Sequence, residues 1–191
     1  METAGHNTYR VQSVCETVAV NAAWDKPEWE KITPLMLNQY MGHLPAHRPE
    51  TQVKLGWNQE YIHVIFKVKD SYVRAVATEH HEMVCRDSCV EFFFTPSADI
   101  RQGYFNLEIN CIGTILLYHQ CGRNKDRVIV DQADIDSLKV ATSLPYRQAI
   151  DPEIVQPVEW TVEYALPWEI LKKICGCGAA GARSCLAGKF L

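Results

Sequence analysis

Asp87-Ser-Cys-Val-Glu-Phe-Phe-Phe-Thr95 places a carboxylate in the middle of an apolar run. Successive side chains on a strand point to opposite faces, so Val90, Phe92 and Phe94 share one face. Asp87, Cys89, Glu91 and Phe93 share the other. A valine and two aromatics must enter a core, which leaves Glu91 among apolar neighbours on the far face. A charge in that setting needs a partner or a ligand.

Two nearby stretches carry the same alternation. Gly103-Tyr-Phe-Asn-Leu-Glu-Ile-Asn110 turns Phe105, Leu107 and Ile109 inward, and Tyr104, Asn106, Glu108 and Asn110 outward. Glu60 to Asp70 sets Ile62, Val64, Phe66 and Val68 against Tyr61, His63, Ile65, Lys67 and Lys69. Placed in one sheet, these strands give a greasy face and a face of carboxylates, amides and aromatics. Such a polar face is either a binding surface or simply the side that meets water, as in most antiparallel sheets.

Composition narrows the classes. A chain of 191 residues with 47% hydrophobic and 22% charged residues is long enough for one domain with a sizeable core and is not disordered. A net charge of −4 leaves no basic footprint for nucleic acid or for an anionic membrane surface. No apolar run reaches the roughly 18 residues of a membrane span. The first ten residues have neither a basic n-region nor an apolar h-region, so the expected location is cytoplasmic and the eight cysteines are expected to be reduced. Cys89 and Cys111 read as small buried hydrophobes.

Strands are expected over 52–57, 60–69, 88–95, 103–110, 113–119 and 158–166, with an edge strand in Tyr9 to Cys15 and another near 138–142. Ser71 to Arg86 reads as a loop, and Asp126 to Pro157 as a looser region. Pro167 suits the first turn of a short helix reaching about Lys173. Alternating strands with little helix predict an all-β, antiparallel β-sandwich of jelly-roll type, with one short helix near the C-terminus. The domain is expected to span 1–173. Residues 174–191 form a divergent or truncated tail with four glycines (176, 178, 181 and 188) and no acidic residue, and are expected to stay out of the sandwich.

Asn21-Ala-Ala-Trp-Asp-Lys-Pro-Glu-Trp29, Val53-Lys-Leu-Gly-Trp57, and Tyr61 to Asp70 follow one another as in carbohydrate-binding modules of family 9, which this chain resembles. Asp87, Ser88, Val90, Glu91 and Phe93 match that family's D-S-x-V-E-x-F strand. Gly103, Tyr104, Ile109, Asn110 and Gly113 match its following hairpin, and Trp160 to Trp168 its W-x-V-E-x-x-I-P-W strand. The resemblance runs from about Asn21 to Leu171. It implies a non-catalytic module that binds a glycan or small sugar, associated with carbohydrate breakdown. The alternative is a structural or protein-interaction sandwich whose sugar site has decayed.

The resemblance carries Glu91 over as a ligand residue. Cys85 stands where the family has a tryptophan platform, and Glu108 where it has an arginine. Glu108, Asn106, Asn110, Tyr104 and Tyr61 complete the candidate ligand set, with Tyr118 as a further aromatic. An aromatic ring stacks on a pyranose while carboxylates and amides bond its hydroxyls. The family also implies structural calcium, for which Asp70 and Asp87 are the candidates; both equally suit turn capping. His80, His81, Cys85 and Cys89 cluster, but not at the spacing of a four-ligand zinc site. Glu91 and Glu108 have the residue types of a glycosidase pair. No Gly-x-Ser-x-Gly, Gly-x-Gly-x-x-Gly or P-loop motif accompanies them.

Overall fold

The computed structural model describes residues 8–40, 42–95, 99–123, 125–175 and 187–190. Alternation of apolar residues drives the architecture. β3 (Glu50–Trp57), β4 (Tyr61–Asp70), β12 (Val158–Pro167) and β10 (Lys139–Thr142) lie side by side and antiparallel. Short β1 (Gln12–Ser13) joins the β3 edge in parallel, and β2 (Leu35–Met36) pairs with β3 antiparallel. A second sheet runs β13-β6-β7-β8-β9, built from β6 (Cys89–Thr95), β7 (Tyr104–Asn110), β8 (Ile115–Gln120), β9 (Val128–Ile129) and β13 (Ala187–Phe190). A small third sheet pairs β5 (Val73–Ala75) with β11 (Ile150–Ile154).

The core lies between the two large sheets. Val64, Phe66, Val162 and Tyr164 from one meet Phe92, Phe94, Phe105, Leu107 and Ile115 from the other, all buried. These are the inward positions that strand parity selects. The fold is the expected antiparallel β-sandwich.

The larger sheet is covered on its outer side as well. Trp24, Trp29 and Ile32 pack on Ile65, so the middle of that face of β4 is buried too. The anchor is Glu163, fully buried on β12. One carboxylate oxygen accepts from the backbone N–H groups of Asn21 (2.9 Å) and Ala22 (2.8 Å). The other accepts from Lys26 Nζ (2.5 Å) and Trp29 Nε1 (3.0 Å). With its oxygens satisfied and its charge paired, a buried carboxylate becomes tolerable. Helix α1 (Pro27–Glu30) carries Trp29 into this contact.

Two expectations change. Glu60 to Asp70 was expected to share a sheet with the strands of Glu91 and Glu108, but β4 belongs to the other sheet. Each strand alone is amphipathic, and parity says nothing about which strands are neighbours. The C-terminal tail was expected outside the sandwich, yet β13 pairs antiparallel with β6, Ala187 opposite Thr95 and Phe190 opposite Phe92. Backbone hydrogen bonds to an open sheet edge depend little on side-chain identity. The rest of that tail, 176–186 and 191, lies outside the described residues.

The regions read as loops also hold structure. Ser71 to Arg86 contains β5 and a 3-10 turn at Val84–Arg86, while Asp126 to Pro157, read as looser, contains β9, α2 (Gln132–Asp136) and β11 besides the expected strand β10. The C-terminal helix α3 (Trp168–Cys175) begins directly after Pro167 and buries Ile170 and Leu171. Among the described residues no helix is long and apolar enough to cross a membrane.

Candidate functional site

β6, β7 and β8 present one outer face. Register sets Glu91 directly opposite Glu108, and Asn106 between Phe93 on β6 and Tyr118 on β8. Directly opposed residues have their Cβ atoms about 5 Å apart. Glu91, Glu108, Asn106, Asn110 and Tyr104 are therefore brought together on one sheet, as the alternation predicts. Tyr118 joins them.

Their surroundings differ in kind. Glu108 is 6% exposed and Asn106 1% exposed, while Glu91, Phe93, Tyr104 and Tyr118 are half-buried. Asn106 Nδ2 donates to Glu108 Oε1 at 2.8 Å and also to the Tyr118 hydroxyl. Two buried acceptors are left without a protein partner, Glu108 Oε2 and Asn106 Oδ1. Buried polar atoms in that state are rare and invite a ligand or ordered water. Burial first, and the adjacent Glu108 charge second, push the Glu91 carboxyl up to about 7. The same pair of glutamates and above all burial push the Cys89 thiol far above its ordinary range, so it is inert beside them.

Aromatic groups frame the acceptors. Phe93 meets Tyr104 edge-on, with ring centroids 6.1 Å apart, and the Tyr104 hydroxyl accepts from Gln120 Nε2. The Arg127 guanidinium lies 3.6 Å from the Tyr118 ring centroid. No sequence signal marks Arg127, which precedes the two-residue strand β9 in an aperiodic stretch. Glu163 was likewise not singled out, although the parity argument that exposes Glu91 applies to it equally: Trp160, Val162 and Tyr164 face the core and Glu163 the reverse side.

Other candidates sit elsewhere. Tyr61 is on the outer face of the opposite sheet, beneath Lys139 Nζ at 4.3 Å, and does not meet Glu91. Asn110 shares the Glu91 face but is committed to structure. It donates to the Ala77 carbonyl and to Asp87 Oδ2, both at 2.9 Å, and accepts from Thr114 N. Asp87 accepts besides from the N–H groups of Val76 and Ala77, each at 3.0 Å. Asp70 Oδ1 lies 2.6 Å from His47 Nε2.

Those bonds make Asp87 a turn cap, and Asp70 a partner of a histidine. Among the described residues no group of three or more His, Cys, Asp or Glu converges as a metal would need. The two aspartates as arranged do not fit the six to eight oxygens of calcium. His80 Nδ1 accepts from Ile115 N, which engages one nitrogen of the histidine pair in the fold. The six described cysteines are free thiols.

Two cavities open at the Asp70 end of the sandwich. One of about 420 Å³ is lined by His47, Asp70 and Glu159, and one of about 380 Å³ by Tyr40, Asp70, Ser88 and Trp160. Neither is lined by Glu91 or Glu108.

Comparison with known proteins shows the same fold. A protein from Bacteroides uniformis proposed to bind carbohydrate superposes with a TM-score of 0.73 at 24% identity, over 85% of this chain and 73% of that one. A family 9 carbohydrate-binding module from Caldicellulosiruptor kristjanssonii, solved with cellotriose, superposes with a TM-score of 0.52 at 14% identity, over 83% of this chain and 67% of that one. A structure of a family 9 module from the same organism with glucose gives 0.52 at 13% identity, over 83% and 69%. No curated protein sequence matches significantly. The sequence model of carbohydrate-binding family 9 matches residues 21–182, from the Glu163-anchored entry segment past the C-terminal helix, and the chain belongs to that family.

Proposed function

We propose that the outer face of β6, β7 and β8 binds a carbohydrate, with Glu91, Asn106 and Glu108 as hydrogen-bonding groups and Phe93, Tyr104 and Tyr118 as the apolar surround. The observation that carries this reading is the pair of buried, unpartnered oxygens, Glu108 Oε2 and Asn106 Oδ1, beside half-buried aromatics. A sugar supplies hydroxyl donors for such oxygens and C–H faces for the rings. The relatives solved with cellotriose and glucose bind sugars on the same fold, which supports the class of ligand. The protein acts as a binding module in carbohydrate breakdown, delivering or retaining a glycan.

Titration calorimetry against a panel of mono- and oligosaccharides tests the proposal. Wild-type protein should bind at least one sugar, and Asn106→Ala together with Glu108→Ala should remove that binding. Equal affinity in both variants would move the site off this face. A competing structural role predicts no binding to any sugar.

A further inference from the structure

Three acceptors meet on the face just described, and the nearby Arg127 guanidinium lies over the Tyr118 ring rather than on a carboxylate. Glu108 Oε2 and Asn106 Oδ1 are buried and unpartnered, and Glu91 stands directly across from Glu108. None of the ion pairs among the described residues uses Glu91, Glu108 or Arg127. Two carboxyls this close in a partly dry setting repel each other unless a proton or a positive group comes between them. Burial and Glu108 push the Glu91 carboxyl up to about 7.

The chemistry of the acceptors selects the group that fits. A hydroxyl brings one donor and no charge, so it leaves the two opposed carboxyls unneutralised. A calcium ion needs six to eight oxygens, and no group of three or more His, Cys, Asp or Glu converges among the described residues. An ammonium has three N–H donors and no acceptor, which matches three acceptors from three side chains. It also neutralises the repulsion between the two glutamates, and charge-assisted bonds of this kind are about twice as strong as neutral ones.

From this we infer that the ligand of the Glu91–Glu108 face is an amino sugar with a free, protonated amine, its ammonium held by Glu91, Glu108 and Asn106. The inference rests on the carbohydrate-binding reading and specifies it. Phe93, Tyr104 and Tyr118 then surround the pyranose ring, as they would for any sugar. An N-acetylated amine would not serve: an amide has a single N–H and no charge.

Three trisaccharides with the same linkage separate the possibilities: cellotriose, chitotriose with free amines, and its fully N-acetylated form. Calorimetry at about pH 5.5, where the sugar amines hold their protons, should show chitotriose binding at least about tenfold tighter than either of the others. Glu108→Gln should weaken chitotriose binding by about tenfold or more and erase the preference. Cellotriose or the acetylated trimer binding as tightly would overturn this inference while leaving carbohydrate binding intact. Binding of none of the three would overturn this inference, and binding of no sugar in the wider panel would overturn both.

Discussion

Replacing Glu91 by glutamine should stabilise the protein at alkaline pH and leave it unchanged in acid. The carboxyl moves from its ordinary 4.5 up to about 7 because burial and Glu108 disfavour its charge. Stability tied to the neutral carboxyl is fully present below about pH 4.5, and is lost as pH rises through about 7. At 1.36 kcal/mol per pH unit the full difference is about 3.4 kcal/mol. Glu91 keeps part of its surface in water, so solvent screening reduces this to about 1.5–2 kcal/mol. Glutamine has nearly the same shape and no charge to suppress. Urea unfolding followed by tryptophan fluorescence, at pH 4 and pH 8 for both proteins, measures the effect, and the difference between them isolates the one residue. Equal stabilities at pH 8, or a weaker variant there, would refute the desolvated carboxyl pair.

Other consequences are separable. Glu163→Ala strips the partner from Lys26, Trp29 and two backbone N–H groups, and should cost about 3–5 kcal/mol in thermal unfolding. Gly113 adopts φ +89°, and a Cβ there would stand 2.7 Å from the Tyr146 ring. Gly113→Ala should therefore destabilise the β7–β8 hairpin by about 1–2 kcal/mol in the same assay. Tyr61→Ala should leave sugar affinity unchanged in calorimetry, because Tyr61 lies on the opposite sheet.

Strand parity recovers most of the sandwich from residues alone. Val90, Phe92, Phe94, Phe105, Leu107 and Ile109 are all buried, and Glu91, Asn106 and Glu108 share the reverse face. What parity cannot supply is which strands are neighbours. Tyr61 was grouped with Glu91 for that reason, and only long-range pairing separates them. Ile65 shows the same gap: it alternates with the outward residues of β4, yet the distant segment holding Trp24 and Trp29 buries it completely. β11 contains Pro152 and too few apolar residues to announce a strand, and it forms by pairing with β5. The unpartnered oxygens of Glu108 and Asn106 depend on side-chain placement, which no pattern of residue types encodes. Gly103, Tyr104, Asn110 and Gly113 were visible as a motif, but the structural role of Asn110 emerges only from its bonds to Ala77 and Asp87.

The place where the sugar binds can be observed residue by residue. Titrating isotope-labelled protein with chitotriose and following backbone amide resonances maps it directly. Shifts should concentrate at Glu91, Phe93, Asn106, Glu108 and Tyr118. Shifts confined to the Asp70 and Trp160 end of the sandwich, or to the face carrying Tyr61, would place the sugar elsewhere and contradict the proposed site.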